Sequence, residues 1–359
     1  MIDLTRRTLL AGTFATAANA LIPPSELLAA NAPYELPLSL VHPELRASVP
    51  VLAQYAKGRP PISRAVLAEI RGGSNGLFGQ SPLPGVPIER RLIPVGHGAP
   101  DVPIYIINAK ASGNRPAILH THGGGYVLGR ATDDVHHLQE ICKELDCVAV
   151  SVDYRLAPET TYKGSIEDNY AGLKWLYKNA ASLGANPNNI AVYGGSAGGG
   201  HAAILALTAR DRGEVPLVFQ CLIYPMLDDR TGSTVHKPPF VGTLIWTPAS
   251  NAFGWESFLG HRPGQAHVDG NAVPARVTNL KGLPPAFIGV GTLDLFCDED
   301  IDYGQRLNAA GVMTETIVVP GAFHVFDNIS LMNKSPLGLW FQKTKLNALR
   351  RGFGMAAVA

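Results

Sequence analysis

Ser196 stands in Tyr193-Gly194-Gly195-Ser196-Ala197-Gly198-Gly199-Gly200, directly after the apolar run Ile190-Ala191-Val192 and just before an alanine-rich stretch. A Gly-x-Ser-x-Gly turn between a strand and a helix leaves no room for side chains at Gly194 and Gly198. It exposes the serine hydroxyl at the strand's end, with the helix N-terminus behind it. That placement suits a nucleophile, which then needs a base, and the base needs an acid to orient it. Two further apolar runs supply them. Ala286–Val290 leads to Asp294, and Thr316–Val319, after Pro320-Gly321, leads to His324. The order serine, acid, base matches a nucleophile at a strand-to-helix elbow. Asp298, Glu299, Asp300 and Asp302 compete with Asp294, but they open the next helix, where carboxylates cap and favour the dipole. His97, His136, His137, His236, His261 and His267 fall in loops, on helix surfaces or in an irregular insertion, where a solvated histidine is ordinary. His201 lies in the first turns of the helix after Ser196, where it packs or caps.

Upstream, His120-Thr121-His122-Gly123-Gly124-Gly125-Tyr126 follows the apolar pair Ile118-Leu119. Three glycines allow the backbone to turn its N–H groups toward one oxygen. Gly123 and Gly124, together with Ala197, are therefore candidate donors to the charge that develops on a carbonyl oxygen under attack; losing one such donor typically costs roughly 3 kcal/mol in the transition state. The spacings of a phosphate-binding glycine loop are missing here. His120 and His122 lack a third and fourth ligand at metal-site spacing. No metal or organic cofactor is implied.

These residues need elements to position them. From residue 88 onward, short apolar runs bounded by Gly, Pro or Asn alternate with longer amphipathic stretches, the pattern of βα units and a mostly parallel sheet. Eight strands are expected, at Ile88–Val95, Val102–Asn108, Ala117–Thr121, Cys147–Val152, Ile190–Tyr193, Val218–Tyr224, Ala286–Val290 and Thr316–Val319. Helices are expected at Asp133–Glu144, Ile166–Asn179, Ala197–Arg210, Glu299–Ala310 and Leu337–Arg350. The alternation stops between about Asp228 and Leu280, where Trp246, Phe253, Trp255 and Phe258 accumulate without a strand. A gap that long inside a βα array is usually functional, and it reads as a cap folded over one end of the sheet. Residues 33–87, rich in Pro and Gly with helix-like pieces at Glu44–Lys57 and Ser63–Arg71, read as a segment that joins this cap. Tyr126, Trp246, Trp255 and Phe253 are candidate pocket walls, or else the cap's own core.

The first residues read as an address. Arg6-Arg7 precede the short apolar stretch Leu9–Ala18, which is too brief to span a bilayer, so residues 1–32 resemble a twin-arginine export signal. Small residues at Ala18-Asn19-Ala20 and at Ala30-Asn31-Ala32 offer two cleavage sites, of which the second is favoured. The competing reading is an arginine pair capping a short helix. Export would carry the protein to the periplasm; an unused leader would leave it in the cytoplasm. The four cysteines include no Cys-x-x-Cys pair, and Cys147 and Cys221 read as buried thiols.

The charge balance, 30 Lys and Arg against 29 Asp and Glu with no basic run, argues against a nucleic-acid or anionic-membrane partner and leaves a small molecule as the expected ligand. Stable membrane insertion is not expected. A chain of 359 residues can bury a sizeable core without a metal or disulfide staple.

Together, five blocks resemble the bacterial hormone-sensitive-lipase-like esterases of the α/β-hydrolase superfamily. They are His122–Gly125, Asp153-Tyr154-Arg155-Leu156-Ala157-Pro158-Glu159, Gly194–Gly198, Asp294–Glu299 and His324-Val325-Phe326. The resemblance runs from about residue 90 to the C-terminus. It implies an α/β-hydrolase fold with a helical cap formed by the N-terminal segment and residues about 230–275. It also implies a triad of Ser196, Asp294 and His324, an oxyanion hole of Gly123, Gly124 and Ala197, and supporting roles for Asp153–Glu159 and Asp168. Gly195, where the family commonly has an acidic residue or Thr, and Val325, where it usually has Gly, depart from the pattern at the floor or rim of the pocket. The expected activity is hydrolysis of small, short-acyl carboxylic esters through an acyl-enzyme. An amide or formamide hydrolase on the same scaffold is the alternative, and a non-catalytic small-molecule receptor is opposed by the intact triad. The mixed polarity of residues 236–265 opposes an interfacial lipase. Relatives often form a homodimer through the edge strand carrying Thr316–Val319.

Overall fold

Eight strands form one sheet in the order β1-β2-β4-β3-β5-β6-β7-β8 in the computed structural model, which describes residues 36–56, 62–72, 80–96, 98–269 and 272–356. The strands are β1 (Ile88–Ile93), β2 (Val102–Ile107), β3 (Arg115–Thr121), β4 (Val148–Val152), β5 (Ala185–Gly195), β6 (Phe219–Ile223), β7 (Ala286–Gly291) and β8 (Thr314–Val319). β1–β2 and β2–β4 pair antiparallel, and every later pair is parallel. All eight expected strands are present, with ends shifted by a few residues. The largest difference is β5, whose polar first half, Ala185–Asn189, carries no apolar pattern.

The helices are α1 (Val49–Ala56), α2 (Leu67–Gly72), α3 (Val135–Leu145), α4 (Tyr162–Asn179), α5 (Ala197–Arg212), α6 (Pro248–Leu259), α7 (Cys297–Ala309), α8 (Phe326–Met332) and α9 (Pro336–Gly352). The period-2 alternation of the strands divides the core into two layers. Ile118, Ala149, Ala191, Cys221 and Phe287 face a layer with Leu138 and Ile141 of α3, Ile329 of α8 and Phe341 of α9. Their neighbours Leu119, Val150, Val192, Leu222 and Ile288 face Leu173 of α4, Ala206 of α5 and Leu307 of α7. Cys142, Cys147, Cys221 and Cys297 are buried free thiols. The Cys142 and Cys147 sulfurs, 3.8 Å apart, are the apolar contact that closes the end of α3, where Asp146 turns left-handed and the Cys147 N–H donates to the Cys142 carbonyl.

A third cluster lies over the carboxyl ends of the strands. It joins Trp255, Phe258 and Leu259 of α6 to Trp246, Tyr126, Leu295 and Phe296, and to Ile62 and Leu67 at and before α2. Thr247 caps α6, with Pro248 at its first position and left-handed Gly260 after its end. The N-terminal segment divides between two locations. Residues 62–72 join this cap cluster, whereas Val41, Leu45 and Val49 pack into the α8–α9 layer. There the His42 N–H donates to the Gly321 carbonyl, and Glu44 accepts from the Leu337 N–H. The export signal expected at residues 1–32 lies outside the described residues.

Candidate active site

The carboxyl ends of β3, β5, β7 and β8 bring the sequence-selected residues together. At the end of β5, Ser196 has φ 58°, ψ −128°, a conformation few non-glycine residues adopt. The turn is fixed by close approach. A Cβ on Gly194 would lie 2.4 Å from the Gly198 carbonyl carbon, and one on Gly198 would lie 2.1 Å from the Thr121 oxygen. The Ser196 N–H donates to the Ile223 carbonyl at 2.9 Å, which ties the elbow to β6.

Asp294 is fully buried, with one carboxylate oxygen accepting from the Phe296 N–H at 3.0 Å. The other accepts from His324 Nδ1 at 2.8 Å, and His324 Nε2 lies 2.9 Å from Ser196 Oγ. An ionised carboxylate can only accept, so the proton sits on Nδ1 and Nε2 is left to accept from the serine hydroxyl. Edge contacts from Tyr224 and Phe296, with ring centroids 4.8 and 5.3 Å away, hold the imidazole plane. The loop beneath it is fixed by left-handed Gly321 and by its N–H, which donates to Thr292 Oγ1.

The glycine loop after β3 lies against the serine. A Cβ on Gly123 would be 3.2 Å from the Gly195 oxygen and 3.6 Å from Ser196 Cβ. The carbonyls of His122, Gly123 and Gly124 are engaged. Tyr154 Oη donates to that of His122, His122 Nδ1 donates to that of Gly123, and the Val127 and Leu128 N–H groups donate to that of Gly124. None of these bonds uses the N–H of Gly123 or Gly124, and Ala197, first in α5, has no intrahelical acceptor. These three N–H groups are thus left without a bond among the described residues, as an oxyanion hole would require, and Gly123 and Gly124 share a cavity with Ser196.

The Asp153–Glu159 block holds the loop from behind. The Ala131 N–H donates to Asp153, Asp168 takes the Arg155 guanidinium and N–H, and Arg71 bonds Glu159 and the carbonyls of Val127 and Ala157. Glu299, a rejected rival of Asp294, instead accepts from the Leu227 and Asp228 N–H groups.

Ser196 and His324 open onto a cavity of about 830 Å³. Trp246 and Val325 line it, and the Trp246 ring lies so close to Gly125 that a Cβ there would meet it at 1.9 Å. Tyr126, expected in the pocket wall, does not line the cavity. Its φ of 67° turns the ring into the cap cluster, where it stacks on Phe258 at 3.9 Å and donates to the Met226 carbonyl. Trp255 is buried in that cluster, and Phe253 packs against it. His201 packs there as well, and burial pushes its imidazole down to about 3.

Sequence reasoning missed the polar part of the cavity wall. His137, expected on a solvated helix surface, has a side chain only 19% exposed, with Nε2 2.8 Å from the Tyr193 hydroxyl. Tyr224 donates to Asp327 Oδ1 at 2.7 Å, and Lys345 donates to Oδ2 at 2.7 Å. Burial would raise Asp327, but Lys345 and Tyr224 outweigh it and hold the carboxyl below its usual range. Tyr193 at an inward strand position, and a tyrosine right after β6, were the available signals. His97 lies outside the described residues.

Residues 118–328 match the family model of the alpha/beta hydrolase fold. Carboxylesterase NlhH of Mycobacterium tuberculosis is 37% identical over 257 residues, covering 70% of this chain and 78% of its own length. A bacterial heroin esterase superposes with TM-score 0.79 at 35% identity over 88% of this chain and 99% of that one. Esterase LipW of Mycobacterium marinum gives 0.74 at 32% over 88% and 97%. The chain belongs to the hormone-sensitive-lipase-like branch of the α/β-hydrolase superfamily and is a serine ester hydrolase.

Proposed function

We propose that the protein hydrolyses small carboxylic esters with short acyl groups, using Ser196 as nucleophile, His324 as base and Asp294 as orienting acid. The observation that carries this reading is the continuous chain Asp294–His324–Ser196, bonded at 2.8 and 2.9 Å and opening on one cavity. Ser196 Oγ attacks the ester carbon as its proton passes to His324 Nε2, and Asp294 stabilises the imidazolium. The carbonyl oxygen takes up the negative charge among the N–H groups of Gly123, Gly124 and Ala197. Collapse expels the alcohol oxygen, which receives the proton from His324. Water then repeats the sequence on the acyl-enzyme and frees the acid and Ser196. Hydrolysis of a p-nitrophenyl ester series, from acetyl to long acyl chains, by the protein and by Ser196→Ala tests it. Preference for short chains with loss of activity in the variant is expected; no hydrolysis of any member by folded protein would overturn it.

Export through the twin-arginine leader belongs to the same proposal, supported by Arg6-Arg7 ahead of Leu9–Ala18. Changing both arginines to lysine is expected to keep the protein in the cytoplasm with an uncleaved N-terminus. A homodimer through the outer edge of β8, which pairs only with β7 among the described strands, is expected to double the mass in light scattering.

A further inference from the structure

Beyond the triad the cavity runs along the sheet face covered by α3, α8 and α9. His120, Asp134, His137, Tyr193, Tyr224 and Asp327 line it there. So many polar side chains between a sheet and its helices cost stability unless each finds a partner. The fold supplies only part of what they need. Tyr193 and His137 bond each other, Tyr224 is bound to Asp327, and His120 Nδ1 is 2.8 Å from Ser151 Oγ. The Asp134 carboxyl has no hydrogen bond among the described residues, and its nearest basic group, His120 Nε2, is 3.7 Å away. Asp134, His120 Nε2 and a lone pair on each tyrosine oxygen thus converge on the cavity with bonding capacity left over.

The charge of the wall narrows the choice of ligand. Asp133, Asp134, Glu140 and Asp327 line the cavity against the two cations Arg130 and Lys334, with Lys345 already paired to Asp327, so the wall carries more acid than base and disfavours an anion. Burial, with Asp133 and Asp327 nearby, raises Asp134 to about 7, and burial lowers both His120 and His137. Near neutral pH the imidazoles are therefore uncharged, and Asp134 is divided between a carboxylate that accepts and a carboxylic acid that can also donate. A hydroxyl, with one donor and two acceptor positions, matches such a set. Gly195 opens the way. It lines the cavity beside Ser196, and a Cβ there would already touch the Tyr224 ring at 3.4 Å, so a longer side chain would fill the passage.

We propose that this chamber is a subsite for a short substrate arm bearing a hydroxyl group, so that hydroxylated esters are preferred to alkyl esters of equal length. The proposal rests on the ester-hydrolase reading of Ser196. Its test compares kcat/KM for p-nitrophenyl 3-hydroxybutyrate against butyrate, and for 3-hydroxybutyl acetate against butyl acetate, with p-nitrophenyl acetate as control. One hydroxylated member is expected to exceed its alkyl partner by about tenfold, what one or two net hydrogen bonds supply; the pair that responds tells whether the arm is acyl or alcohol. That ratio, taken within each variant so that overall activity cancels, is expected to fall toward one in Tyr193→Phe, Asp134→Leu and Gly195→Asp. Ratios at or below one in the unaltered protein overturn the proposal. So does a ratio that survives Tyr193→Phe and Gly195→Asp, or faster turnover of p-nitrophenyl 4-aminobutyrate than of the hydroxybutyrate. If even the acetate resists hydrolysis, the ester reading itself falls and the subsite with it.

Discussion

Replacing Asp294 by Asn keeps the shape of the site but lets the residue donate to His324 Nδ1, which forces the imidazole proton onto Nε2, the atom that must accept from Ser196. A loss of about 10⁴ in kcat is expected, with KM little changed, in steady-state kinetics on p-nitrophenyl acetate. Asp134 gives a prediction of a different kind. Its folded value of about 7 lies above the ordinary 3.8, so its contribution to stability is full below pH 4, declines as the pH rises toward 7 and is gone above that. Asp134→Asn has no such decline, so its thermal midpoint relative to the unaltered protein is expected to be higher at pH 8 than at pH 4.5. At this scale the triad was legible because each member follows its own apolar run by a few residues. Tyr126 was not, since one backbone φ of 67° decides whether its ring enters the cavity or the cap. His137 was not, since its partner Tyr193 lies 56 positions away.

The cap element α6 explains why some structure escaped the pattern. Its buried side carries Ser250, Asn251 and Ser257 beside Trp255 and Phe258, while its outer side carries Ala249, Ala252 and Phe253 beside Glu256, so the helix shows no amphipathic period. Its signals were Thr247-Pro248 at one end and Gly260 at the other. The helix α8 is only seven residues long and was too short to stand out. Trp246, which precedes α6 and donates from Nε1 to Asn251, ties the cap to the cavity wall. Trp246→Ala is expected to destabilise the protein by about 3–5 kcal/mol in denaturant unfolding. It is also expected to raise kcat/KM for octanoate relative to acetate at least tenfold, because the ring no longer limits the cavity.

At the scale of the molecule, alternation of strands and helices announced a mostly parallel sheet. It could not announce that β4 lies between β2 and β3, because strand order depends on crossovers and leaves no local trace. Nor could it show that residues 36–56 leave the cap and dock beside the His324 loop. Leu45 is fully buried there, and Val41 and Val49 nearly so; each such side chain is worth about 1.5–3 kcal/mol. A chain starting at residue 33 is expected to match the full chain in kcat/KM and thermal midpoint. One starting at residue 57, without the His42–Gly321 and Glu44–Leu337 bonds, is expected to lose several kcal/mol of stability and most of its activity.

The most direct test of the account is to quench the protein during turnover of p-nitrophenyl butyrate and map the acyl group by peptide mass spectrometry. One butyryl group per chain on Ser196 is predicted, absent from Ser196→Ala and slow to form in His324→Ala. An acyl group on any other residue, or turnover by Ser196→Ala at the rate of the unaltered protein, would contradict it.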